Sequence, residues 1–216
     1  MRTDWEEFKL LSFNVRGLNS ESKQKVVDEL VRRNKPHMVC FSETKLQSAI
    51  YLGGFWSFQT MFQRNGGCWN ASRTNTRHQL VKSLGTYMCW TQLQLGNTYV
   101  QVFNCYLHPG EQQNLKDRAK RVLDIVKDVI RQDPNTPIVV CGDFNNHIVT
   151  MCEGLSPHNF EPAFPCGTET HRQGGHLDQV FVRNMKVGVA VMNPGYREDV
   201  SDHKCLMVTL KLQNPQ

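Results

Sequence analysis

Residues 141–146, with the sequence Cys-Gly-Asp-Phe-Asn-Asn, combine a carboxylate and two amides directly after a short β-branched run. That run, residues 137–140, is typical of a fully buried strand. Asp143 and Asn145 are two positions apart, so both side chains can point to the same side, and Gly142 allows a close backbone approach. A carboxylate can orient a water molecule, and an amide can donate to a phosphoryl oxygen without adding charge. The segment therefore predicts phosphate-ester chemistry.

Polar side chains of the same kind recur at the ends of other predicted strands and turns. In an α/β sheet, ligand sites form at strand edges, so such residues can converge on one cleft. Each residue alone has a simpler structural interpretation, such as a turn cap, a left-handed backbone position or a solvated surface group. Their recurrence favours one shared site. The set is Asn14, Glu43, Tyr106, Asp143 with Asn145, Asp178, and Ser201-Asp202-His203.

Two acidic residues of this set are predicted to hold a divalent cation. A hard cation such as Mg²⁺ binds one or two carboxylates together with water and substrate phosphate oxygens. Glu43, just past a buried strand, is the first candidate ligand and Asp202 is the second. Asn14 is expected to hold Glu43 and the metal-bound water molecules in place. We predict a Mg²⁺ site, with Mn²⁺ as a substitute, at Glu43, Asp202 and Asn14.

The remaining polar residues receive catalytic roles. Asp143 can orient and deprotonate the attacking water. His203 and Asn145 can hold the non-bridging phosphate oxygens and stabilise the charge that builds up in the transition state. Asp178 can fix the tautomer and orientation of His203, and Tyr106 can donate a hydrogen bond to phosphate.

The elements that must position these residues alternate between strands and helices, which predicts an α/β fold. Helical spacing and cap residues predict helices over 21–34 and 111–132. A long irregular region over 146–175 would be unusual in a compact domain unless it is functional. The predicted strands are 8–13, 37–42, short segments near 56–59 and 69, 86–95 and 98–106 joined at Gly96-Asn97, 137–140, 177–182, 187–192 and 204–212.

Length and composition limit the class of protein to which the chain can belong. The chain has 216 residues, enough for one sizeable core, which predicts a single catalytic domain over residues 1–216. With 39% hydrophobic and 21% charged residues, it resembles an ordinary soluble globular protein, and its net charge of +5 suits a polyanionic partner. The N-terminus is too polar for a signal peptide, so an intracellular location is expected. The eight cysteines form no CxxC pair and are interpreted as reduced core residues rather than as a zinc site with His171 and His176.

The ordered motifs resemble the endonuclease/exonuclease/phosphatase superfamily, which has a DNase-I-like fold. They span residues 12 to 203 in the family's order, and the full set is far more specific than any single member. The resemblance implies a four-layer α/β sandwich in which two packed mixed β-sheets are flanked by helices. The matching segments are Ser12-Phe13-Asn14-Val15-Arg16-Gly17-Leu18, Phe41-Ser42-Glu43-Thr44-Lys45, Asn104-Cys105-Tyr106, Gly142-Asp143-Phe144-Asn145, Leu177-Asp178 and Ser201-Asp202-His203.

Within the superfamily, the runs FNVRGLNS and FSETKL look most like the apurinic-type endonuclease domains of non-LTR (LINE-type) retrotransposons. The Gly-rich strand start at residues 65–69 adds to this likeness. The resemblance implies a Mg²⁺-dependent nick in double-stranded DNA that leaves a 3′-hydroxyl, which then primes reverse transcription. It further implies action in the nucleus and a monomeric state for the isolated domain. The chain is either an excised domain, with a reverse transcriptase domain in the full-length protein, or a free-standing protein.

Two segments depart from the family pattern. Gly174-Gly175-His176 occupies the position where abasic-site enzymes usually carry an aromatic residue, which makes repair of abasic sites less favoured than nicking of intact DNA. Leu107-His108-Pro109-Gly110 replaces a Pro-Asn pair that contacts phosphate. The family also predicts a groove-entering hairpin over 168–175, with His171 and Arg172 as DNA contacts or, alternatively, as part of a solvated hairpin tip. A substrate contact is also expected from Asn104.

Alternative functions share the same metal core. Another phosphodiesterase of this fold could be an abasic-site repair nuclease, an exonuclease or an RNA deadenylase, or could act on lipids or nucleotide-linked adducts. The short chain leaves little room for an added specificity domain, which favours the compact retroelement form. A DNA-binding module without catalysis is a further alternative, against which the intact set of polar residues argues.

Overall fold

The computed structural model describes residues 7–60, 65–110, 113–193 and 200–212. Within these ranges, the chain forms two six-stranded mixed β-sheets and three α-helices, with two short 3₁₀ turns next to the third helix. The strands are β1 (Phe8–Asn14), β2 (Met38–Ser42), β3 (Phe55–Gln59), β4 (Cys68–Arg73), β5 (His78–Leu84), β6 (Met88–Leu95), β7 (Thr98–Tyr106), β8 (Ile138–Asp143), β9 (Glu161–Pro162), β10 (Asp178–Arg183), β11 (Met185–Met192) and β12 (Leu206–Leu212), and the helices are α1 (Glu21–Asn34), α2 (Gln113–Gln132) and α3 (Ile148–Leu155).

The strand order places the polar motifs at one end of both sheets. The first sheet has the order β11-β12-β1-β2-β4-β3, and the second has the order β5-β6-β7-β8-β10-β9. β1 and β2 run parallel, with Asn14 opposite Ser42, so Glu43 follows directly at that edge. In the second sheet, Asp143 lies opposite both Tyr106 of β7 and Asp178 of β10. The register alone therefore brings these three side chains next to one another.

The helices and sheets pack in four layers, with the two sheets between α1 on one side and α2 and α3 on the other. A buried apolar cluster, which includes Leu10, Val139 and Leu206, fills the space between the two sheets. α1 covers the outer face of the first sheet through Val27, Leu30 and Val31. α2 and α3 cover the outer face of the second sheet. This arrangement confirms the predicted four-layer α/β sandwich with a DNase-I-like fold.

The two predicted helices are present. α1 spans Glu21–Asn34 as predicted, and the Ser20 side chain caps it by accepting from the N–H of Lys23 at 3.2 Å. α2 ends at Gln132 as predicted and carries the buried stripe Ala119, Val122, Val126 and Val129. Residues 111–112, where this helix was predicted to begin, and the side chain of Leu115 lie outside the described residues.

The sequence patterns missed three elements: β5, α3 and the two-residue strand β9. β5 is an edge strand with four consecutive exposed residues and a bulge between Leu80 and Lys82, so it shows no alternation of apolar and polar residues. α3 lies inside the region that we expected to be irregular. Its buried residues Ile148, Met151 and Leu155 have helical spacing, but eight residues give a short periodic signal beside Pro- and His-rich neighbours.

The cysteines agree largely with their predicted state. All eight are free thiols, and all are buried except Cys152, which is half-buried, and Cys166, which is exposed. Within the described part of the chain, no helix is both long and apolar enough to cross a membrane.

Candidate active site

The polar strand ends of both sheets meet in one cluster. Asn14 ends β1, Glu43 follows β2, Asp143 ends β8, and His203 lies shortly before β12. One ligand atom from each of Glu43, Asp143 and His203 lies within 4.8 Å of the others. Residues separated by up to 160 positions in the chain thus share one site, as we predicted from their order (203 − 43).

Asn14 links the carboxylates of the two sheets. Its Nδ2 donates to Glu43 Oε2 at 2.9 Å and to Asp143 Oδ2 at 2.7 Å, and it lies 3.4 Å from His203 Nε2. Its Oδ1 accepts the backbone N–H of Arg16 at 2.9 Å. These contacts agree with the predicted task of holding Glu43. The amide oxygen, which is the atom a cation would bind, faces the Arg16 backbone instead.

Asp143 is almost completely buried and receives several hydrogen bonds. It is 1% exposed, and its Oδ1 accepts the backbone N–H of Asn145 at 2.9 Å. Burial, followed by the negative charge of Asp178, raises the pKa of Asp143 well above its usual range. This carboxylate is therefore short of positive charge, and a nearby cation would stabilise its ionised form.

Asn145 supports Asp143 from a left-handed backbone conformation, with φ at +48°. Asn is among the residues that tolerate this conformation best. Its Nδ2 donates to Leu107 O at 2.9 Å and to Asp143 Oδ2 at 3.0 Å. Both amide hydrogens have partners, so in this conformation Asn145 orients Asp143. Its predicted donation to phosphate would require one of these bonds to open.

His203 is held by Asp178, which agrees with the role predicted for that carboxylate. His203 Nδ1 donates to Asp178 Oδ2 at 2.8 Å. The other ring nitrogen, Nε2, lies 3.9 Å from Asp143 Oδ2 and 3.9 Å from Asp202 Oδ1. Burial by itself would lower the pKa of His203, but the hydrogen bond to Asp178 and the surrounding carboxylates raise it to about 9. The ring therefore carries a proton on Nε2 near neutral pH.

Among the described residues, only one of the two carboxylate oxygens of Asp202 has a polar partner within hydrogen-bond distance. Oδ2 pairs with the guanidinium of Arg16 and lies 3.1 Å from His171 Nε2. Oδ1 is buried and has no hydrogen-bond partner among the described residues. Burial would raise the pKa of Asp202, but the charge of Arg16 and the hydrogen bond from His171 lower it below its usual value. Asp202 is thus ionised and presents a free oxygen next to His203.

Tyr106 lies beside Asp143 and is 6% exposed. Burial, together with the charges of Glu43 and Asp143, raises the pKa of Tyr106 above its usual value. The phenol therefore stays protonated and can act as a hydrogen-bond donor, which its predicted contact to phosphate requires.

The residues predicted to contact substrate have different positions. His171 Nδ1 accepts the N–H of Gln173 at 3.2 Å, so the proton lies on Nε2 and is donated to Asp202. His171 thus supports Asp202 and does not extend into a groove. Arg172 has an exposed side chain, and its DNA contact stays a prediction. The predicted hairpin here is a tight turn closed by the N–H of Thr170 and the carbonyl of Gly175 at 2.9 Å.

Asn104 requires a correction. Its side chain is completely buried between the sheets, where Nδ2 donates to Phe41 O at 2.9 Å and to Asn70 Oδ1 at 2.8 Å. A substrate cannot reach it, so the predicted substrate contact is wrong. The amide instead cross-links the two sheets beneath the site, a role that strand alternation alone cannot distinguish from an exposed one.

Three further residues shape the site and were given no role from the sequence. Lys45 Nζ lies 2.7 Å from Glu43 Oε1, and Arg16 pairs with Asp202. Both follow a predicted site residue by two positions, which places them at the same strand ends. Thr170 is completely buried, and its Oγ1 accepts the N–H groups of Leu177 at 3.0 Å and Asp178 at 2.9 Å.

The cluster fits a hard divalent cation. Glu43 and Asp143 lie in one group of potential ligands with His203, and Asp202 lies in a second group with His171 and His203. Because His203 carries a proton on Nε2, the carboxylate oxygens are the ligands, and these suit Mg²⁺ or Mn²⁺. Two observations favour a bound cation: the buried oxygen of Asp202 has no hydrogen-bond partner among the described residues, and burial disfavours the ionised form of Asp143. Within the described ranges, Cys166 and His176 belong to no comparable group.

Comparison with known proteins identifies the family. The sequence model of the endonuclease/exonuclease/phosphatase family matches residues 11–203. The chain therefore belongs to that family, which contains metal-dependent phosphodiesterases. The sequence matches no curated protein.

Solved structures share the fold at low sequence identity. The AP endonuclease LMAP from Leishmania major has a TM-score of 0.75 at 13% identity, over 96% of this chain and 89% of its own. The endonuclease domain of TRAS1, a telomere-specific non-LTR retrotransposon, has a TM-score of 0.71 at 12% identity, over 96% and 100%. Truncated TDP2 from Caenorhabditis elegans has a TM-score of 0.69 at 17% identity, over 95% and 98%. At such identities these matches show the fold alone.

Proposed function

We propose that this protein is a Mg²⁺-dependent endonuclease that nicks double-stranded DNA and leaves a 3′-hydroxyl, as in target-primed retrotransposition. The observation that carries the proposal is the arrangement of His203. Asp178 holds one ring nitrogen, while the other faces the carboxylates Asp143 and Asp202 at 3.9 Å. A cationic donor beside a carboxylate cluster suits a phosphodiester, which needs charge stabilisation on its oxygens and a base for water.

Each residue of the site has a separate role in the proposed hydrolysis. Glu43 and Asp202 would hold the cation, which supplies Lewis-acid polarisation of a phosphoryl oxygen when bound. Asp143, whose ionised form a bound cation would stabilise, accepts the proton of the attacking water. His203 donates from Nε2 to a non-bridging oxygen, and Tyr106 donates a second hydrogen bond there.

These roles account for each bond that forms or breaks in the hydrolysis. The water oxygen bonds to phosphorus as its proton passes to Asp143. The bond between phosphorus and the 3′-oxygen then breaks. The products are a 5′-phosphate and a 3′-oxygen that takes a proton from solvent and becomes the 3′-hydroxyl.

The choice of intact DNA rests on the sequence motifs and on the turn next to the site. Gly174 and Gly175 form a tight turn. His176 Nδ1 accepts the N–H of Gly167 at 3.2 Å, and His176 Nε2 lies 3.1 Å from Gln179 Nε2. An aromatic pocket for a base-free sugar is not formed by these residues. The retrotransposon role is supported by the runs FNVRGLNS and FSETKL.

A plasmid assay tests the proposal. The purified protein with Mg²⁺ should convert supercoiled plasmid to nicked circles whose ends a DNA polymerase can extend. Asp143→Ala and His203→Ala should each lower the nicking rate by about a thousandfold or more, because each removes a group needed in the transition state. Asp124→Ala, which removes an exposed carboxylate on α2, is the matched control and should cleave as the wild type does.

Assays with the same purified wild type and variants distinguish the alternative functions. Faster cleavage of an abasic duplex, a poly(A) RNA tail or a DNA 3′-end than of plasmid would reassign the substrate. Absence of cleavage in both Mg²⁺ and Mn²⁺ would favour a binding module without catalysis. Circular dichroism of each variant checks that the fold survives.

A further inference from the structure

The carboxylates expected to hold the cation already have positive partners from the chain itself. Lys45 Nζ lies 2.7 Å from Glu43 Oε1, and Arg16 pairs with Asp202. Lys23 joins them, since its Nζ donates to Arg16 O at 3.1 Å. The exposed side of the site is therefore lined by basic side chains at the point where a cation would enter.

The position of Lys45 is built by its surroundings. Glu43 and Lys45 both have left-handed backbone conformations, with φ at +52° and +51°. This conformation is unfavourable for residues with a Cβ atom. The N–H of Lys45 is anchored on Gly66 O at 2.8 Å. The anchored backbone of Lys45 thus places its ammonium group beside Glu43.

A bound cation and Lys45 would compete for the same oxygens. Glu43 is 13% exposed, whereas the Lys45 side chain is 35% exposed and can turn outward. Lys carries a compact charge on a flexible stem, so it can change partners without backbone movement. The released ammonium group would lie at the mouth of the site, where a nucleic-acid strand presents phosphates on both sides of the scissile one.

We propose that Lys45 is an exchangeable counter-ion. It binds Glu43 while no divalent cation is held, and it binds a backbone phosphate of the nucleic-acid substrate, adjacent to the scissile phosphate, once Glu43 binds the cation. This inference rests on the proposed function. It assigns an anion subsite to a residue that otherwise looks like part of a surface ion pair.

The first test measures metal binding without nucleic acid. Mn²⁺ titration followed by electron paramagnetic resonance is compared for the wild type, Lys45→Met and Lys45→Gln. Removal of the competing ammonium should tighten Mn²⁺ binding by about two- to fivefold, the range expected for a partly exposed ion pair. Lys45→Arg should restore wild-type affinity. Lys25→Met is the matched control, because it removes the same charge from an exposed pair with Glu21 on α1.

The second test measures DNA binding in Mg²⁺ by fluorescence anisotropy, in a His203→Ala background that does not cleave. Lys45→Met should weaken binding and lower the slope of log K against log salt by about 1, as expected for the loss of one phosphate contact. Lys25→Met should leave that slope unchanged. The two effects of Lys45→Met thus have opposite signs, which a purely structural defect would not produce.

Each outcome is decisive. Unchanged or weaker Mn²⁺ binding in the Lys45 variants overturns the counter-ion exchange, even if the wild type nicks DNA normally. Tighter Mn²⁺ binding with unchanged DNA affinity overturns the phosphate subsite. A wild-type protein that binds neither Mn²⁺ nor DNA overturns the proposed function itself.

Discussion

The two sides of the candidate site use the same residue types in different environments. On the side of the first sheet, the side chains of Glu43 and Asp202 are 13% and 22% exposed and pair with a lysine and an arginine. On the side of the second sheet, those of Asp143 and Asp178 are 1% and 3% exposed and are held by amide groups and the His203 ring.

This difference separates two tasks for a carboxylate. A partly exposed group with a flexible cationic partner can exchange that partner for a metal ion or for water. A buried group bonded to fixed amide and imidazole donors keeps its geometry, and burial raises the pKa of Asp143. The exposed side of the site is therefore suited to binding, and the buried side to proton transfer.

The largest expected effect concerns the backbone beneath the buried side. Gly142 has φ at +126°, and a Cβ atom there would lie 2.0 Å from Cys105 O in the neighbouring strand. Gly142→Ala should therefore lower the free energy of unfolding by about 4 kcal/mol or more, because β7 and β8 would have to separate. Urea denaturation measures the change.

Gly17→Ala is the matched variant on the exposed side. Its φ is +93°, but the nearest atom to an added Cβ is Lys45 Cδ at 3.6 Å. Strain alone should cost about 1–2 kcal/mol. Equal losses for the two glycines would contradict the contrast between a rigid and an adaptable side.

The next effect concerns the proton on His203. Asp178→Asn removes the charge that holds Nδ1, so kcat for nicking should fall by about 10- to 100-fold. The pKa of His203 should fall from about 9 toward its ordinary value of 6.5, because burial then opposes protonation with less compensation. Nuclear magnetic resonance titration of the ring follows the pKa directly.

Lys45→Gln is the comparison for this experiment on the exposed side. It removes a charge from the same site, but the ammonium group of Lys45 pairs with Glu43, whereas the His203 ring is bonded to Asp178. The pKa of His203 should therefore stay near its wild-type value. A comparable fall in both variants would show that the two sides are not electrostatically distinct.

The smallest effect is the pH dependence of stability in the metal-free protein. The pKa of His203 is about 9 in the folded state and 6.5 as its ordinary value, so its stabilising contribution is complete below pH 6.5 and is lost as the pH rises through 9. The raised pKa of Asp143 acts in the same direction, because its ionised form is disfavoured by folding. Stability should fall by roughly 1–3 kcal/mol between pH 6.5 and 9.

Urea denaturation with a chelator at both pH values measures this loss. His203→Gln should flatten the pH dependence, whereas Lys25→Gln, in an exposed pair, should not. Excess Mg²⁺ should reduce the loss, because it stabilises the ionised carboxylates. A wild-type protein that is more stable at pH 9 than at pH 6.5 would contradict the assigned protonation of His203.

Much of the fold and of the site could be predicted from local sequence patterns. The buried run before Asp143, the capped helix after Ser20 and the turn at Gly96-Asn97 each depend on neighbouring residues, and each is present. The set of polar strand ends could also be chosen, because residues at the ends of adjacent strands must meet at one sheet edge. The sequence by itself therefore determined the fold class and the polar strand ends that meet at the site.

The partners of those residues were decided only by the tertiary structure. The bond between Asn14 and Asp143 joins residues 129 positions apart, and the ion pair between Arg16 and Asp202 joins residues 186 positions apart. The burial of Asn104 likewise depends on the second sheet covering the first. Local patterns record the preferences of a residue for helix, strand or turn, whereas hydrogen-bond partners and shifted pKa values depend on groups that only chain packing brings within a few ångströms.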